Sequence, residues 1–285
     1  MKCKITGDKL SPFMSFGKMP SANGFLDENN FDNEFFYEME VGFSSKVSLL
    51  QLNEFSNPVK VHNDRYPFYT SSSLNMKKHF NQFAHWLKEK YLHNGSKLIE
   101  VGSNDGTLLE NFKNTNIEAV GFEPSITIAE LANKKNIKTL SKFFNTQNLD
   151  EIKNFHSSVD VICSANVIAH IPDLKDVIEC VDKLLSSKGL LIFEEPYLGS
   201  MFSKISYDQI YDEHIFMFSV NSIKKIFDLF DFELIDVLPQ VTHGGSMRYV
   251  IARRNKHKKS EIVSKFLDEE QSKKLDTIES CLDFK

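Results

Sequence analysis

Four consecutive residues in the second half of the chain carry the groups of an acid–base site. Tyr211, Asp212, Glu213 and His214 supply a phenol, two carboxylates and an imidazole. Histidine titrates near neutral pH and can accept a proton from a substrate, and a neighbouring carboxylate can orient the ring and stabilise its charged form. The apolar run 215–218 would keep such a site dry. A helix cap or an ion-pair cluster is the alternative interpretation of the same residues.

A second group of residues surrounds a turn that follows the predicted strand "KLIEVG". Its glycines let the backbone turn sharply, and the helix expected after the turn would offer N–H groups at its positive end. The next predicted strand ends in an acid, which can accept both ribose hydroxyls of an adenosine. A plain turn with a surface glutamate is the alternative. The residues of this group are Glu100, Gly102, Ser103, Asn104, Gly106, Glu123 and Pro124.

The elements that must position these residues follow from the hydrophobic pattern. A helical period begins at Met76, and strand-like runs such as "VDVICSA" and "GLLIFEEP" then alternate with helix-like runs such as "DLKDVIECVDKLLSS". Such alternation predicts an α/β protein with a doubly wound sheet. We expect an irregular module over residues 1–75, an α/β domain over 76–255 and a helical tail over 256–285.

The turn E-x-G-x-x-x-G, the acid that ends the next strand and the alternating pattern together resemble the methyltransferases that depend on S-adenosylmethionine (SAM). The resemblance implies a Rossmann-like class I methyltransferase fold with SAM as cofactor. It implies that Asn166 hydrogen-bonds the methionine part of the cofactor. Phe143 and Phe144 would form a shelf for the adenine, or else belong to the core. His170 points either into the site or into a helix cap.

The segments "FEEPYLG", "YDQIYDEHIFMFS" and "VTHGGSMRYVIAR" resemble a narrower family, the C-methyltransferases of nucleotide-linked keto-deoxysugars. The resemblance implies that His214 is the general base and that Tyr211 and Glu213 contact the sugar. Tyr66 would reach the active site, or else is a buried structural residue. Arg248 would pair with a diphosphate, or else forms a salt bridge within the fold. The substrate-side candidates are Tyr197, His243, Ser246 and Arg248.

The resemblance implies methyl transfer to the carbon beside the ketone of a nucleotide-linked keto-deoxysugar, and a base such as His214 could remove the proton from that carbon. An O- or N-methyltransferase acting on another sugar or small molecule is one alternative. An inactive truncated subunit, or one that depends on a partner, is the other.

The N-terminal module departs from the narrower family, whose members bind zinc there through two pairs of cysteines. Cys3 remains, whereas Thr6, Ser44 and Val47 occupy the other three positions. One thiolate cannot make a four-ligand structural zinc site, so we expect no zinc and no metal ligands. The relatives also continue with a further α/β domain. We therefore expect a fragment, a protein whose partner chain supplies that domain, or an enzyme for a different acceptor.

Composition excludes several classes of protein. The net charge of −5 over 285 residues argues against a non-specific nucleic-acid binder. No apolar run reaches the length of about 18 residues that a membrane span needs, and the N-terminus lacks an apolar signal segment. The four cysteines are scattered along the chain, and we expect them to be reduced thiols. We therefore expect a cytoplasmic protein that binds neither nucleic acid nor membranes.

Overall fold

The computed structural model describes residues 1–23, 25–57, 61 and 66–285. It contains two compact units. The first comprises Met1–Val61, Asn166–Leu174 and Phe193–Lys285, and the second comprises His62–Ala165 and Lys175–Ile192. The N-terminal module and the C-terminal tail therefore belong to the same unit.

The strands and α-helices are numbered in chain order. The strands are β1 Ser11–Pro20, β2 Phe36–Ser44, β3 Leu49–Leu52, β4 Lys97–Val101, β5 Glu118–Phe122, β6 Thr139–Leu140, β7 Val159–Ala165, β8 Leu185–Pro196, β9 Phe216–Met217, β10 Phe232–Gln240 and β11 Ser246–Arg253. The helices are α1 Leu74–Lys90, α2 Ile126–Lys134, α3 Leu174–Leu184, α4 Leu198–Lys204, α5 Val220–Asp228, α6 Glu261–Ser272 and α7 Ile278–Phe284.

The central sheet is mostly parallel. Its strands are hydrogen-bonded in the order β10-β11-β8-β7-β4-β5-β6, with parallel pairs around β4 and β5 and an antiparallel pair of β10 with β11. The side chains of β4 and β7 are almost all buried, as expected for parallel strands that are covered on both faces. The α/β fold predicted from the alternating pattern is confirmed.

Helix α1 shows how the sequence sets an element of the second unit. The Ser73 hydroxyl accepts a hydrogen bond from the N–H of Met76 at 3.3 Å and so caps the helix, which begins two residues earlier than the periodicity suggested. Phe80, Phe83 and Leu87 recur at helical spacing and are buried. This apolar stripe is the face that the helical period predicted.

The N-terminal module contains a sheet, although the sequence suggested irregular structure. Strands β1, β2, β3 and β9 form an antiparallel sheet in that order. Tyr37, Met39 and Val41 of β2 alternate and are buried, so a period of two was present in the sequence. The Asn- and Ser-rich segments around these strands hid that pattern.

The C-terminal tail packs into the core of the first unit. Phe284 of α7 stacks on Phe202 with ring centroids 4.3 Å apart and on Tyr207 at 4.8 Å. The same core contains Cys281 of α7 together with residues of β1, β2 and β3. The tail is therefore part of the structure that supports the N-terminal sheet.

Among the residues that the structure describes, no helix combines the length and the apolar content that crossing a bilayer requires.

Candidate functional site

The segment that carries the acid–base residues is fixed by the N-terminal sheet. The turn 211–214 leads into β9, which pairs with β3 through Leu50 opposite Met217 and Gln51 opposite Phe216. The Leu52 N–H also donates to the Ile215 carbonyl at 2.9 Å. The apolar run after His214 is therefore a strand of a buried sheet, which explains why a charged turn is followed by aromatic residues.

His214 is held by a main-chain carbonyl. Its Nδ1 lies 2.7 Å from the Gln209 oxygen, which can only accept, so Nδ1 carries the proton and Nε2 keeps its lone pair. Burial lowers the pKa of His214 to about 4, so the ring is neutral at neutral pH. The ring is thus in the form that a general base requires.

Glu213 faces a different histidine from the one that the sequence suggested. Its Oε2 lies 3.6 Å from His170 Nδ1, and its Oε1 accepts a short hydrogen bond from Asn23. The His170 ring lies 5.2 Å from the His214 ring, centroid to centroid. The idea that Glu213 orients His214 is therefore corrected, because Gln209 holds that ring. His170 points into the acid–base cluster.

Tyr211 completes this cluster. Its ring centroid lies 4.4 Å from that of His214. Burial, with a further effect from Glu213, raises the pKa of Tyr211, so the phenol keeps its proton and can donate a hydrogen bond. The structure therefore brings together Tyr211, Glu213, His214 and His170 in the first unit.

The turn that carries Asn166 and His170 is organised by a buried carboxyl group that sequence reasoning missed. Glu195 Oε1 accepts hydrogen bonds from the N–H groups of Val167 at 2.9 Å and Ala169 at 3.1 Å. Asn166 has a φ of 58° and donates its N–H to the Glu194 carbonyl at 2.8 Å. Asn166 Oδ1 is buried with no hydrogen-bond partner among the described residues.

Three of the four substrate-side candidates are engaged within the fold. Arg248 forms a buried ion pair with Glu194 at 2.5 Å, which is the salt-bridge alternative named above. The Tyr197 hydroxyl donates to Glu270 at 2.9 Å, and the Ser246 hydroxyl closes a turn by donating to the Thr242 carbonyl at 3.1 Å.

His243, the fourth candidate, is the exposed one. It has a φ of 49° in the turn that begins at Thr242. Its charged form lowers the pKa of His214, although burial of His214 is the larger cause.

The glycine turn of the second unit holds Glu123 firmly. One carboxylate oxygen accepts from the Asn104 N–H at 3.1 Å and the other from the Ser125 N–H at 2.9 Å. Gly106 has a φ of +79°, and an added Cβ would lie 2.8 Å from Ile137 Cδ1, so only glycine fits there. The turn therefore fixes a carboxylate whose remaining lone pairs can accept the ribose hydroxyls of a nucleoside.

Two buried polar atoms, one in β4 and one in the turn, are available to a bound ligand. Glu100 Oε2 and Ser103 Oγ have no hydrogen-bond partner among the described residues. Burial raises the pKa of Glu100 well above its ordinary value, with Glu123 and Asp105 adding to the effect. A ligand that supplies hydrogen-bond donors would satisfy atoms that are otherwise costly to bury.

The prediction of an α-helix after the glycine turn is wrong. A 3₁₀ helix of four residues, Leu109–Phe112, stands there instead, so its N-terminus offers no extended dipole. Asn104 instead anchors the turn, because its Oδ1 accepts from the Thr70 N–H at 2.9 Å and its Nδ2 donates to the Phe68 carbonyl at 3.0 Å.

The aromatic candidates of the second unit differ in how deeply they are buried. Phe144 is buried against Phe122, with ring centroids 5.1 Å apart, and is a core residue. Phe143 and Pro124 are half-buried. Tyr66 is also half-buried, and its ring centroid lies 5.5 Å from that of Phe68.

The N-terminal module does not fit a zinc ion. Cys3 Sγ lies 3.5 Å from the Thr6 N–H, in the turn that a metal-binding pair would use. Ser44 and Val47 are buried, and a valine side chain has no ligand atom. Within residues 1–23, 25–57, 61 and 66–285, no group of three or more His, Cys, Asp or Glu is arranged to hold a metal.

Comparison with known proteins identifies the family. A family model described as a methyltransferase domain matches residues 71–237. The chain belongs to this family. A second model, described for a zinc-binding domain, matches residues 3–61, where the residues present do not fit the metal. The fold is that of the class I SAM-dependent methyltransferases, and SAM is the cofactor of this enzyme class.

The chain is also similar to individual proteins. It is 28% identical over 275 residues to the C-methyltransferase NovU of Streptomyces niveus, covering 95% of the chain and 65% of NovU. The PH0226 protein of Pyrococcus horikoshii superposes with a TM-score of 0.50 at 13% identity, over 66% of this chain and 95% of that one. A SAM-dependent methyltransferase from Clostridium acetobutylicum superposes with a TM-score of 0.49 at 12% identity, over 63% of this chain and 92% of that one.

Proposed function

We propose that this methyltransferase transfers a methyl group to carbon, at the position beside the ketone of a nucleotide-linked keto-deoxysugar. One observation carries the proposal: Nδ1 of His214 is tied to the Gln209 carbonyl, which leaves a neutral imidazole with its Nε2 lone pair free to act as a base. Transfer to oxygen or nitrogen makes a smaller demand on such a base. The similarity to the C-methyltransferase NovU adds support.

The residues of the first unit have separate roles in this chemistry. His214 Nε2 takes the proton from the carbon beside the ketone, and the electron pair of that C–H bond moves towards the carbonyl oxygen. The Tyr211 phenol donates a hydrogen bond to this oxygen as negative charge develops on it. Glu213 and His170 form a neighbouring pair that contacts the sugar hydroxyls. Positioned acid–base catalysis of this kind is typically worth about 10²–10⁴-fold.

The residues of the second unit would hold the cofactor. Glu123 would accept the ribose hydroxyls, and Glu100 and Ser103 have the buried, unsatisfied atoms that such a ligand would meet. When bound, SAM supplies an electrophilic methyl group on a positively charged sulfur. Asn166 and Phe143 stay candidates for further cofactor contacts. His243 and Tyr66 stay candidates for the acceptor.

Solvent exchange tests the proposed chemistry. Wild type is incubated in D₂O with a nucleotide-linked 4-keto-6-deoxysugar and S-adenosylhomocysteine, and deuterium at the carbon beside the ketone is followed by NMR. We expect exchange in wild type and a loss of about 10²-fold or more in His214→Gln. The matched control is His85→Gln, because His85 is an exposed helix residue.

The product distinguishes the alternatives. Mass spectrometry and NMR of the methylated sugar show whether the new methyl group is on carbon, oxygen or nitrogen. Methyl transfer without exchange at the adjacent carbon would overturn C-methylation and favour an O- or N-methyltransferase. Cofactor binding without turnover on any keto-sugar would favour a subunit that depends on a partner.

A further inference from the structure

Ser21, Ala22 and Asn23 of the N-terminal module donate hydrogen bonds to the two carboxylates that precede His214. The Ser21 hydroxyl donates to Asp212 Oδ2 at 2.8 Å, and the Ala22 N–H donates to Asp212 Oδ1 at 3.1 Å. The Ser56 hydroxyl donates in turn to Ser21 Oγ at 2.9 Å. Asp212 has no part in the proposed chemistry, and its two acceptor oxygens anchor the segment 21–23 to the turn that carries the base.

Asn23 extends the same segment to the next carboxylate. Its side-chain amide donates a short hydrogen bond to Glu213 Oε1. The other oxygen of that carboxylate, Oε2, lies 3.6 Å from His170 Nδ1. The side chain of Glu213 is only 4% exposed, so few water molecules compete for these oxygens. The amide of Asn23 therefore fixes which way the carboxylate is turned and which oxygen faces His170.

The same bond influences the charge of Glu213. Burial raises the pKa of Glu213, the hydrogen bond from Asn23 lowers it, and the charge of Asp212 raises it by a smaller amount. Among the described residues, the titratable groups beside Glu213 and His170 include Tyr211, whose phenol keeps its proton, and the neutral ring of His214. The hydrogen bond from Asn23 therefore opposes the effect of burial on the pKa of Glu213.

We propose that Asn23 is a positioning residue, through which the N-terminal module holds the side chain of Glu213 turned towards His170. Asp212 assists by anchoring the backbone beside Asn23. This inference rests on the proposed function, because it gives the module a part in the acid–base cluster.

A histidine titration tests this role without any acceptor or cofactor. The ring signals of the ¹³C-labelled full chain are followed by NMR against pH, and His170 is assigned with a His170→Gln variant. The Glu213→Gln variant gives the reference shift of the His170 midpoint. Losing an opposite charge at this distance lowers a histidine midpoint by about one pH unit. We expect Asn23→Ala to lower the His170 midpoint by about half of that. Asn29→Ala, an exposed asparagine of the same module, is the control and leaves the midpoint unchanged.

Thermal unfolding of each variant shows whether the fold is intact, and Asn23→Ser serves as a second, smaller change. A His170 midpoint that moves in Glu213→Gln but not in either Asn23 variant overturns the proposal. A midpoint that moves in none of the three variants overturns it as well, because Glu213 is then not ionised beside His170. Since methyl transfer is not measured, failure here is distinguishable from failure of the proposed reaction.

Discussion

The protonation state of His214 is decided by one backbone oxygen and by burial. The Gln209 carbonyl selects the tautomer, and the loss of hydration disfavours the charged ring. A carboxylate in the same place would have stabilised the imidazolium form and raised the pKa. The arrangement therefore favours a base that is ready at neutral pH over a charged histidine.

The pH dependence of proton exchange follows from this arrangement. The pKa of His214 is lowered to about 4, so the base is neutral above that value and is lost as the pH falls through it. We expect kcat/KM for deuterium exchange in wild type to decline near pH 4. His85→Gln should give the same profile. A decline near pH 6.5, the ordinary value for histidine, would contradict a buried neutral base.

Glu123 permits a test of the cofactor side alone. We expect S-adenosylhomocysteine to bind wild type with a free energy of about −8 kcal/mol, in the micromolar range. Glu123→Ala should weaken binding by about 2 kcal/mol, because the ribose hydroxyls lose a charged acceptor. Isothermal titration calorimetry measures both, with the exposed Glu151→Ala as control. Equal affinity of wild type and Glu123→Ala would show that the ribose is held elsewhere.

At the scale of an element, the turn 166–170 depends on the buried carboxyl of Glu195. One oxygen accepts from two N–H groups of the turn, and the other has no partner among the described residues. Burial raises the pKa of Glu195 to about 8, despite the opposing effect of those hydrogen bonds. The carboxyl group is thus protonated at neutral pH, and it orders the turn without placing a negative charge near Tyr211.

Stability should depend on pH through Glu195. The folded state binds its proton up to about pH 8, and the unfolded chain releases it near the ordinary value of 4.5. Its contribution is therefore fully present below about pH 4.5 and is lost as the pH rises to about 8, with a slope of at most about 1.4 kcal/mol per pH unit. Glu195→Gln removes this dependence. Urea unfolding at pH 5, 6.5 and 8 should show the variant gaining stability relative to wild type as the pH rises.

The control for this comparison is Glu151→Gln, a change at an exposed glutamate. Its difference from wild type should stay constant across the three pH values. A constant difference for Glu195→Gln as well would contradict a protonated buried carboxyl group.

At the scale of the whole molecule, the two ends of the chain meet in one core. The described N-terminal strands and helix α7 share buried side chains, and the same N-terminal sheet pairs with β9 directly after His214. Residues far apart in sequence therefore determine where His214 lies. Damage to the C-terminal helix should reach the acid–base turn through this core.

Phe284 tests that connection. Phe284→Ala removes a buried ring that stacks on Phe202 and Tyr207, so we expect the free energy of unfolding to fall by about 3 kcal/mol. Leu282→Ala, on the same helix but exposed, should change it by less than about 0.5 kcal/mol. Urea unfolding followed by circular dichroism measures both. Equal effects of the two changes would mean that the helix is not part of the core.

The sequence predicted much of the fold and suggested residues for the candidate site. Alternating strand-like and helix-like runs gave the α/β class, because the two periods differ and are visible locally. The residue types in the turn 211–214 indicated acid–base chemistry, because the four groups are adjacent in the sequence. The sequence pattern did not reveal the N-terminal sheet, whose short alternating pattern is interrupted by polar segments. It also predicted a helix where Leu109–Phe112 is a 3₁₀ helix.

By itself, the sequence determined which chemical groups are present and which elements carry them, since propensity and periodicity act over a few residues. Only the tertiary structure decided which groups face each other. Gln209 rather than Glu213 holds His214, Glu213 faces His170 and Asn23, and Arg248 is engaged by Glu194. Such pairings join residues as many as 190 positions apart, and they depend on how strands and helices pack, a property that no local pattern contains.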